Sequence, residues 1–213
     1  MAFRALPTVL LALLPTIALA HPHVWVDSAT EVLFDHGRMT GVRHHWRFDE
    51  AFSEFASQGL DTNKDGRLSR DELQPLAKIN VDSLKEYDFF TVVNKGDYEA
   101  GFADPQDYWL EKDNDRLILH FTLPLARPLD VRGTIAMEIY DPEYFVAFTL
   151  PNREAVILDD APPGCTLAVT PGKKPDTSAA AMLATIGADQ RELPDSMKAL
   201  TTGIENSATV TCP

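Results

Sequence analysis

Residues 23–48 read HVWVDSATEVLFDHGRMTGVRHHWRF. Two runs in this stretch, 23–34 and 39–48, are rich in β-branched and aromatic residues and alternate between apolar and polar side chains. Such alternation is typical of strands with one buried face. Residues 35–38 lie between the runs and include a glycine, which favours a tight turn. The stretch therefore predicts a β-hairpin.

Similar patterns recur towards the carboxyl end of the chain. Short apolar runs separated by turns predict strands at 91–93, 98–102, 107–111, 116–123, 129–140 and 144–150. The turn 141–143 is expected to join the last two strands into a hairpin. So many short strands are typical of a sandwich or open barrel of antiparallel hairpins. We therefore expect a mainly β domain over residues 21–160 with one core.

One segment inside this domain has a different pattern. Residues 61–72 read DTNKDGRLSRDE and offer an oxygen ligand at each position that a calcium-binding EF-hand loop requires. The expected calcium ligands are Asp61, Asn63, Asp65, Arg67 through its carbonyl, Ser69 and Glu72. A solvated turn that binds no ion is the alternative interpretation.

Helical periodicity flanks this loop on both sides. Asp49 can cap a first helix that contains Phe52 and Phe55, and apolar residues recur at helical spacing from Leu73 to about Tyr87. We therefore predict a helix–loop–helix insertion at about 49–87, which makes the fold α+β overall. A single loop of this type indicates either a modest affinity for calcium or a structural calcium ion.

The first 20 residues have the pattern of a signal peptide. Arg4 precedes an apolar stretch, and Ala18-Leu19-Ala20 is a small-x-small cleavage site. The apolar run is too short and too often interrupted by proline to anchor the chain in a membrane. We therefore expect a periplasmic protein that is not membrane-embedded.

The charge balance narrows the class of partners. The chain has 19 basic and 32 acidic side chains and a net charge of −13. Loss of Arg4 with the leader would make it still more negative. Such a chain disfavours nucleic acid and anionic membrane surfaces, and metal ions are its natural partners.

Cleavage after Ala20 would place His21-Pro22-His23 at the amino terminus. Pro22 has no amide proton to lose, which blocks the square-planar copper or nickel mode that uses deprotonated amides. Ligation of zinc, nickel, copper or cobalt by His21 and His23 through their imidazoles stays open. A disordered terminus with incidental histidines is the alternative.

Two further histidines are candidate ligands within predicted strands. His44 shares an apolar strand face with Trp46, so it is either a ligand or a hydrogen-bonded core residue. His120 faces away from its apolar neighbours, so it is either a ligand or an exposed strand histidine. The same alternation predicts that His45 is solvated.

The two cysteines, Cys165 and Cys212, both follow the Pro162-Pro163-Gly164 boundary. A cysteine pair in an exported protein normally oxidises, whereas free thiols or a thiolate metal site are the alternatives. We expect the segments 165–169 and 208–212 to pair antiparallel around an Ala-rich helix near 178–186. This pattern predicts a subdomain over 161–213 that is closed by a disulfide between the two cysteines.

Three short motifs resemble those of a known family: HPHVWV at 21–26, WRFDEAFS at 46–53 and YDPEYF at 140–145. They are similar to poorly characterised bacterial periplasmic proteins that are classed as a domain of unknown function and assigned to ABC-type uptake systems. The resemblance covers residues 21 to about 150. It implies an inner-membrane permease for nickel, cobalt or zinc as the partner.

Together these observations predict a non-enzymatic accessory protein that binds Ca²⁺ through the loop and Zn²⁺, Ni²⁺ or Co²⁺ through His21 and His23. His44 or His120 are further candidate ligands of the transition metal. A calcium-stabilised adaptor with no transition-metal role is the main alternative. A copper-dependent oxidative enzyme that begins with His21 is a third possibility.

Overall fold

The computed structural model describes residues 21–187 and 190–213, so the predicted signal peptide lies outside the described residues. The strands are β1 Val24–Asp35, β2 Arg38–Phe48, β3 Thr91–Lys95, β4 Tyr98–Glu99, β5 Gln106–Asp113, β6 Arg116–Asp130, β7 Gly133–Ile139, β8 Val146–Thr149, β9 Val156–Asp159, β10 Thr166–Thr170 and β11 Asn206–Cys212. The α-helices are α1 Glu50–Ala56, α2 Arg70–Leu84 and α3 Thr177–Leu183. Short 3-10 helices span Lys85–Phe90, Arg153–Ala155 and Lys198–Thr201.

The strands form two sheets, which confirms the mainly β class. The first sheet has the order β5-β6-β2-β1-β8, and β9 also pairs with β1. Its β8 and β9 run parallel to β1, whereas its other pairs are antiparallel. The second sheet has the order β10-β11-β7-β3-β4 and its pairs are antiparallel.

Both sheets bury alternate residues in one apolar core. Trp46 of β2 and Phe121 of β6 belong to the same buried cluster as Ile135 of β7 and Val210 of β11. The rings of Trp46 and Phe121 meet edge to face with centroids 4.9 Å apart. The outward-facing residues of the first sheet lie outside this core.

The hairpins β1–β2, β3–β4 and β5–β6 are present as predicted. The predicted hairpin around 141–143 is wrong, because β7 lies in the second sheet and β8 in the first. The Asp141 carboxylate accepts hydrogen bonds from the N–H groups of Glu143 and Val146, both at 2.9 Å. These two hydrogen bonds stabilise the turn by which the chain passes from the second sheet to the first.

Helices flank the Asp-rich loop on both sides. α1 follows Asp49, whose side chain accepts a hydrogen bond from Phe52 N–H at 2.9 Å. α2 follows Ser69, which forms a reciprocal capping box with Glu72. Leu73 and other apolar residues on one face of α2 are buried in the core. The loop is therefore held at both ends by capped helices.

The Cys165–Cys212 disulfide is present, which confirms that prediction and agrees with an oxidising compartment. β10 and β11 pair antiparallel beside it. β11 also pairs with β7, so the segment after Pro162 completes the second sheet. In the described part of the chain, no helix is long and apolar enough to cross a membrane.

Candidate functional site

The amino-terminal segment is anchored to two other parts of the fold. His23 N–H donates to the Phe145 carbonyl at 2.9 Å. Trp25 N–H donates to the Asp49 carboxylate at 2.9 Å, and Asp49 N–H donates back to the Trp25 carbonyl at 2.9 Å. The three motifs that carry the family resemblance are therefore in contact in the folded protein. Residues 21–26 are anchored to the rest of the fold.

The imidazoles of His21 and His23 meet edge to face, with ring centroids 5.2 Å apart. His21 is only 3% exposed, and the His23 ring packs on Phe145 with centroids 4.6 Å apart. Both His21 nitrogens and Nε2 of His23 are buried without a hydrogen-bond partner among the described residues. Leaving such atoms unsatisfied costs about 1–3 kcal/mol each, so each needs a partner such as water or a bound ligand.

The surroundings of His21 favour its neutral form. Burial lowers the pKa of His21 below its usual value, and a charge on His23 lowers it further. The Arg191 carbonyl and the Glu143 carboxylate act in the opposite direction on that pKa, although neither forms a well-aligned hydrogen bond to the ring. A neutral imidazole is the form that binds a metal ion.

His44 lies apart from this pair in the core. Its Nδ1 is 3.0 Å from Thr30 Oγ1 and its Nε2 is 3.2 Å from Thr91 Oγ1. Burial, with a smaller contribution from His45, lowers the pKa of His44 to about 3. Both nitrogens are already hydrogen-bonded, so neither is free to bind a metal ion.

His120 is not brought to His21 and His23 either. It lies opposite His45 in the β2–β6 pair, and His45 lies opposite Ala29 in the β1–β2 pair. Ala29 is five strand residues beyond Val24, or roughly 16 Å along β1. The sequence interpretation missed His45, because alternation alone identifies a solvent-facing residue without showing what lies beside it.

The Asp-rich loop is closed by hydrogen bonds from its own backbone. The Asp61 carboxylate accepts from Gly66 N–H at 2.9 Å, and the Asn63 side chain accepts from Asp65 N–H at 2.9 Å. Gly66 has φ +80°, a conformation that costs glycine little. Arg67 N–H donates to the Asp65 carboxylate at 2.8 Å. These hydrogen bonds hold residues 61–67 in a compact turn.

Glu72 closes the loop from the first turn of α2. One carboxylate oxygen accepts from Thr62 N–H at 2.9 Å, and the other accepts from Ser69 N–H at 3.0 Å. Hydrogen bonds from Ser69 and then from Thr62 lower the pKa of Glu72 to about 2. The carboxylate is therefore ionised and held across the loop throughout the neutral range.

Over residues 21–187 and 190–213, no group of three or more His, Cys, Asp or Glu side chains is assembled as a metal site. The loop carboxylates engage backbone N–H groups, and four of the histidines form two pairs. A metal ion at the loop or at either histidine pair would therefore need further ligands from main-chain oxygens, water or a partner.

The sequence was also compared with known proteins. The model of a family described as "Protein of unknown function (DUF1007)" matches residues 6–212. An uncharacterized protein of Haemophilus influenzae is 26% identical over 140 residues, which cover 65% of this chain and 66% of that protein. An uncharacterized 15.5 kDa protein of Spirochaeta aurantia is 29% identical over 85 residues, which cover 40% of this chain and 61% of that protein. The chain thus spans less than two thirds of the length of either relative.

Proposed function

Because the chain belongs to the DUF1007 family, whose function is unknown, we propose a function from the chemistry of its own residues. The protein is a periplasmic accessory protein that binds two kinds of metal ion. His21 and His23 hold Zn²⁺, Ni²⁺ or Co²⁺ for delivery to an inner-membrane permease. The loop 61–72 holds Ca²⁺.

The observation that carries the transition-metal role is the set of three buried imidazole nitrogens of His21 and His23 without partners. Rings with centroids 5.2 Å apart can each place one nitrogen about 2.0–2.1 Å from a shared ion. An α-amino group freed by cleavage after Ala20 would add a third nitrogen donor. Nitrogen ligands of this kind suit zinc, nickel and cobalt and exclude calcium as the preferred ion.

A cavity beside His21 supports a role in handover. His21 lines an open cavity of about 320 Å³ together with Asp141 and Tyr144. An ion bound to His21 would lie beside this cavity, which opens to the surface. The acidic character of the chain supports the same role, because a negative surface attracts cations.

The calcium role rests on the order of oxygen donors in the loop. Asp61, Asn63, Asp65, Arg67, Ser69 and Glu72 occupy the ligand positions of a calcium loop between two capped helices. Bound Ca²⁺ would draw the Glu72 carboxylate away from Thr62 and Ser69. A protein with calcium alone would be a calcium-stabilised adaptor, which is the second candidate function.

Calorimetric titration of the processed, chelator-stripped protein with zinc and nickel tests the transition-metal role. Replacing both His21 and His23 by Ala should weaken one binding event at least 10-fold. His36→Ala is the matched control, because the His36 side chain is 93% exposed at the β1–β2 turn. Unchanged zinc and nickel affinity in the double variant would rule out the accessory role and leave the calcium-stabilised adaptor.

A further inference from the structure

His45 and His120 form a second histidine pair, on the outer face of the first sheet. They lie directly opposite each other in the β2–β6 pair, whereas their neighbours His44 and Phe121 point into the core. The Nδ1 atoms of His45 and His120 are 2.6 Å apart. The two side chains are 27% and 12% exposed, so the pair is shielded from bulk water without being sealed.

Each ring is held by a carboxylate at its other nitrogen. Nε2 of His45 is 3.2 Å from a Glu31 oxygen, and Nε2 of His120 is 3.1 Å from a Glu111 oxygen. An ionised carboxylate only accepts hydrogen bonds, so both Nε2 atoms carry the proton. A neutral imidazole has one N–H, and both Nδ1 atoms therefore present lone pairs to each other.

Two lone pairs at that separation repel unless a cation lies between them. The cation is either a proton shared by the rings or a metal ion. Metal-bound histidines usually donate their second N–H to a carboxylate, which fixes the tautomer and increases the basicity of the ligating nitrogen. Glu31 and Glu111 supply that arrangement on both sides of the pair, and each carboxylate holds its ring in the tautomer whose Nδ1 can bind a metal ion.

We infer that His45 and His120 ligate a divalent transition-metal ion of the zinc type through their Nδ1 atoms, with Glu31 and Glu111 as the carboxylates that orient them. This site is independent of the one proposed at His21 and His23. A tetrahedral zinc ion would hold the two nitrogens about 3.3 Å apart. The rings, whose Nδ1 atoms now face each other directly, therefore need to separate by less than about 1 Å and to tilt until both lone pairs point at the ion. Two protein nitrogens leave the remaining coordination positions for water or an incoming ligand, as an exchangeable site requires.

Neighbouring side chains fix the pair in place. The Trp109 ring stacks on the His120 ring with centroids 4.5 Å apart and an angle of 10°. The Arg70 guanidinium lies 4.7 Å above the centre of the Trp109 ring. Arg43 binds the Glu31 oxygen that His45 does not use. Trp109 therefore provides an optical signal for events at His120.

The test uses the processed, chelator-stripped chain in which His21 and His23 are both Ala. This background should still bind one equivalent of Zn²⁺, measured by competition with a chromophoric chelator, and Zn²⁺ should change the tryptophan fluorescence of the protein. Adding His45→Ala or His120→Ala should weaken this binding at least 10-fold. Glu31→Gln or Glu111→Gln should weaken it about 10–100-fold, and His36→Ala should have no effect.

Circular dichroism and the thermal midpoint of each variant show whether it is folded. Glu111 is 54% exposed, so Glu111→Gln tests the site even if a histidine variant does not fold. The inference is overturned if the background binds no zinc, or if zinc affinity is insensitive to His45, His120 and Glu111. The pair would then share a proton only. If instead the function proposed for His21 and His23 fails, the double variant of these residues should bind as much zinc as the wild type does.

Discussion

The Nδ1 atom of His44 accepts a hydrogen bond from the Thr30 hydroxyl at 3.0 Å within the core. The Thr91 hydroxyl donates to the Phe89 carbonyl at 2.8 Å, so it accepts from the Nε2–H of His44 at 3.2 Å. These contacts define one tautomer of a neutral ring. His44 is thus a core residue, whereas the adjacent His45 faces the opposite side of the sheet.

The burial of His44 predicts a specific loss of stability in acid. Its pKa falls from 6.5 to about 3 in the folded protein, so between these values the unfolded chain binds a proton that the folded chain does not. Stability therefore decreases as pH falls from 6.5 towards 3, by about 1.4 kcal/mol per pH unit.

Urea unfolding at pH 7 and pH 5 checks this dependence. The wild type should lose about 2 kcal/mol more than His44→Gln, because glutamine does not titrate. Equal losses in the two proteins would show that His44 does not contribute to the pH dependence.

The disulfide predicts a large effect of reduction. Cys165 and Cys212 are 47 residues apart and join the start of β10 to the end of β11. In the chain-entropy model, opening such a loop destabilises the fold by about 4 kcal/mol. Urea midpoints with and without a phosphine reductant measure the change. A variant with both cysteines replaced by Ser should match the reduced wild type and be insensitive to the reductant.

The loop predicts calcium binding that depends on Glu72. Glu72→Gln should reduce calcium affinity at least 10-fold, because it removes the bidentate ligand at the last loop position. Asp71→Asn removes a neighbouring charge at a position that contributes no ligand and should change affinity less than twofold. Chelation of calcium should lower the thermal midpoint of the wild type but not that of Glu72→Gln. Equal calcium affinity in the two variants would contradict the assignment.

The pairing of β2 with β6 predicts a strict requirement for glycine at position 41. A Cβ on Gly41 would lie 2.6 Å from the Leu123 carbonyl oxygen and 2.9 Å from the Pro124 Cα. Gly41→Ala should therefore destabilise the protein by about 1–3 kcal/mol, since the backbone must shift. Gly101→Ala is the matched control, because a Cβ there meets no atom within 4 Å. Similar urea midpoints for both variants would contradict this explanation.

Local features of the fold and of the Asp-rich loop were predictable from the sequence. The β1–β2 hairpin follows from two alternating runs and a glycine turn, and the start of α1 follows from Asp49 as a cap. Each of these signals lies within a few residues of the structure that it specifies. The Cys165–Cys212 pairing was predictable because the chain has only two cysteines.

The sequence by itself therefore determined most of the strands, the cap at Asp49, the order of the loop donors and the cysteine pair, because turn chemistry and side-chain period act over short distances. The short strand β9 was not predicted. Only the tertiary structure decided that β8 joins β1 in parallel, that β11 joins β7, and that His45 meets His120 across 75 residues of chain. Strand partners and register between distant segments are selected by how well their buried faces pack together. That packing is a property of the assembled core, and no single stretch of sequence contains it.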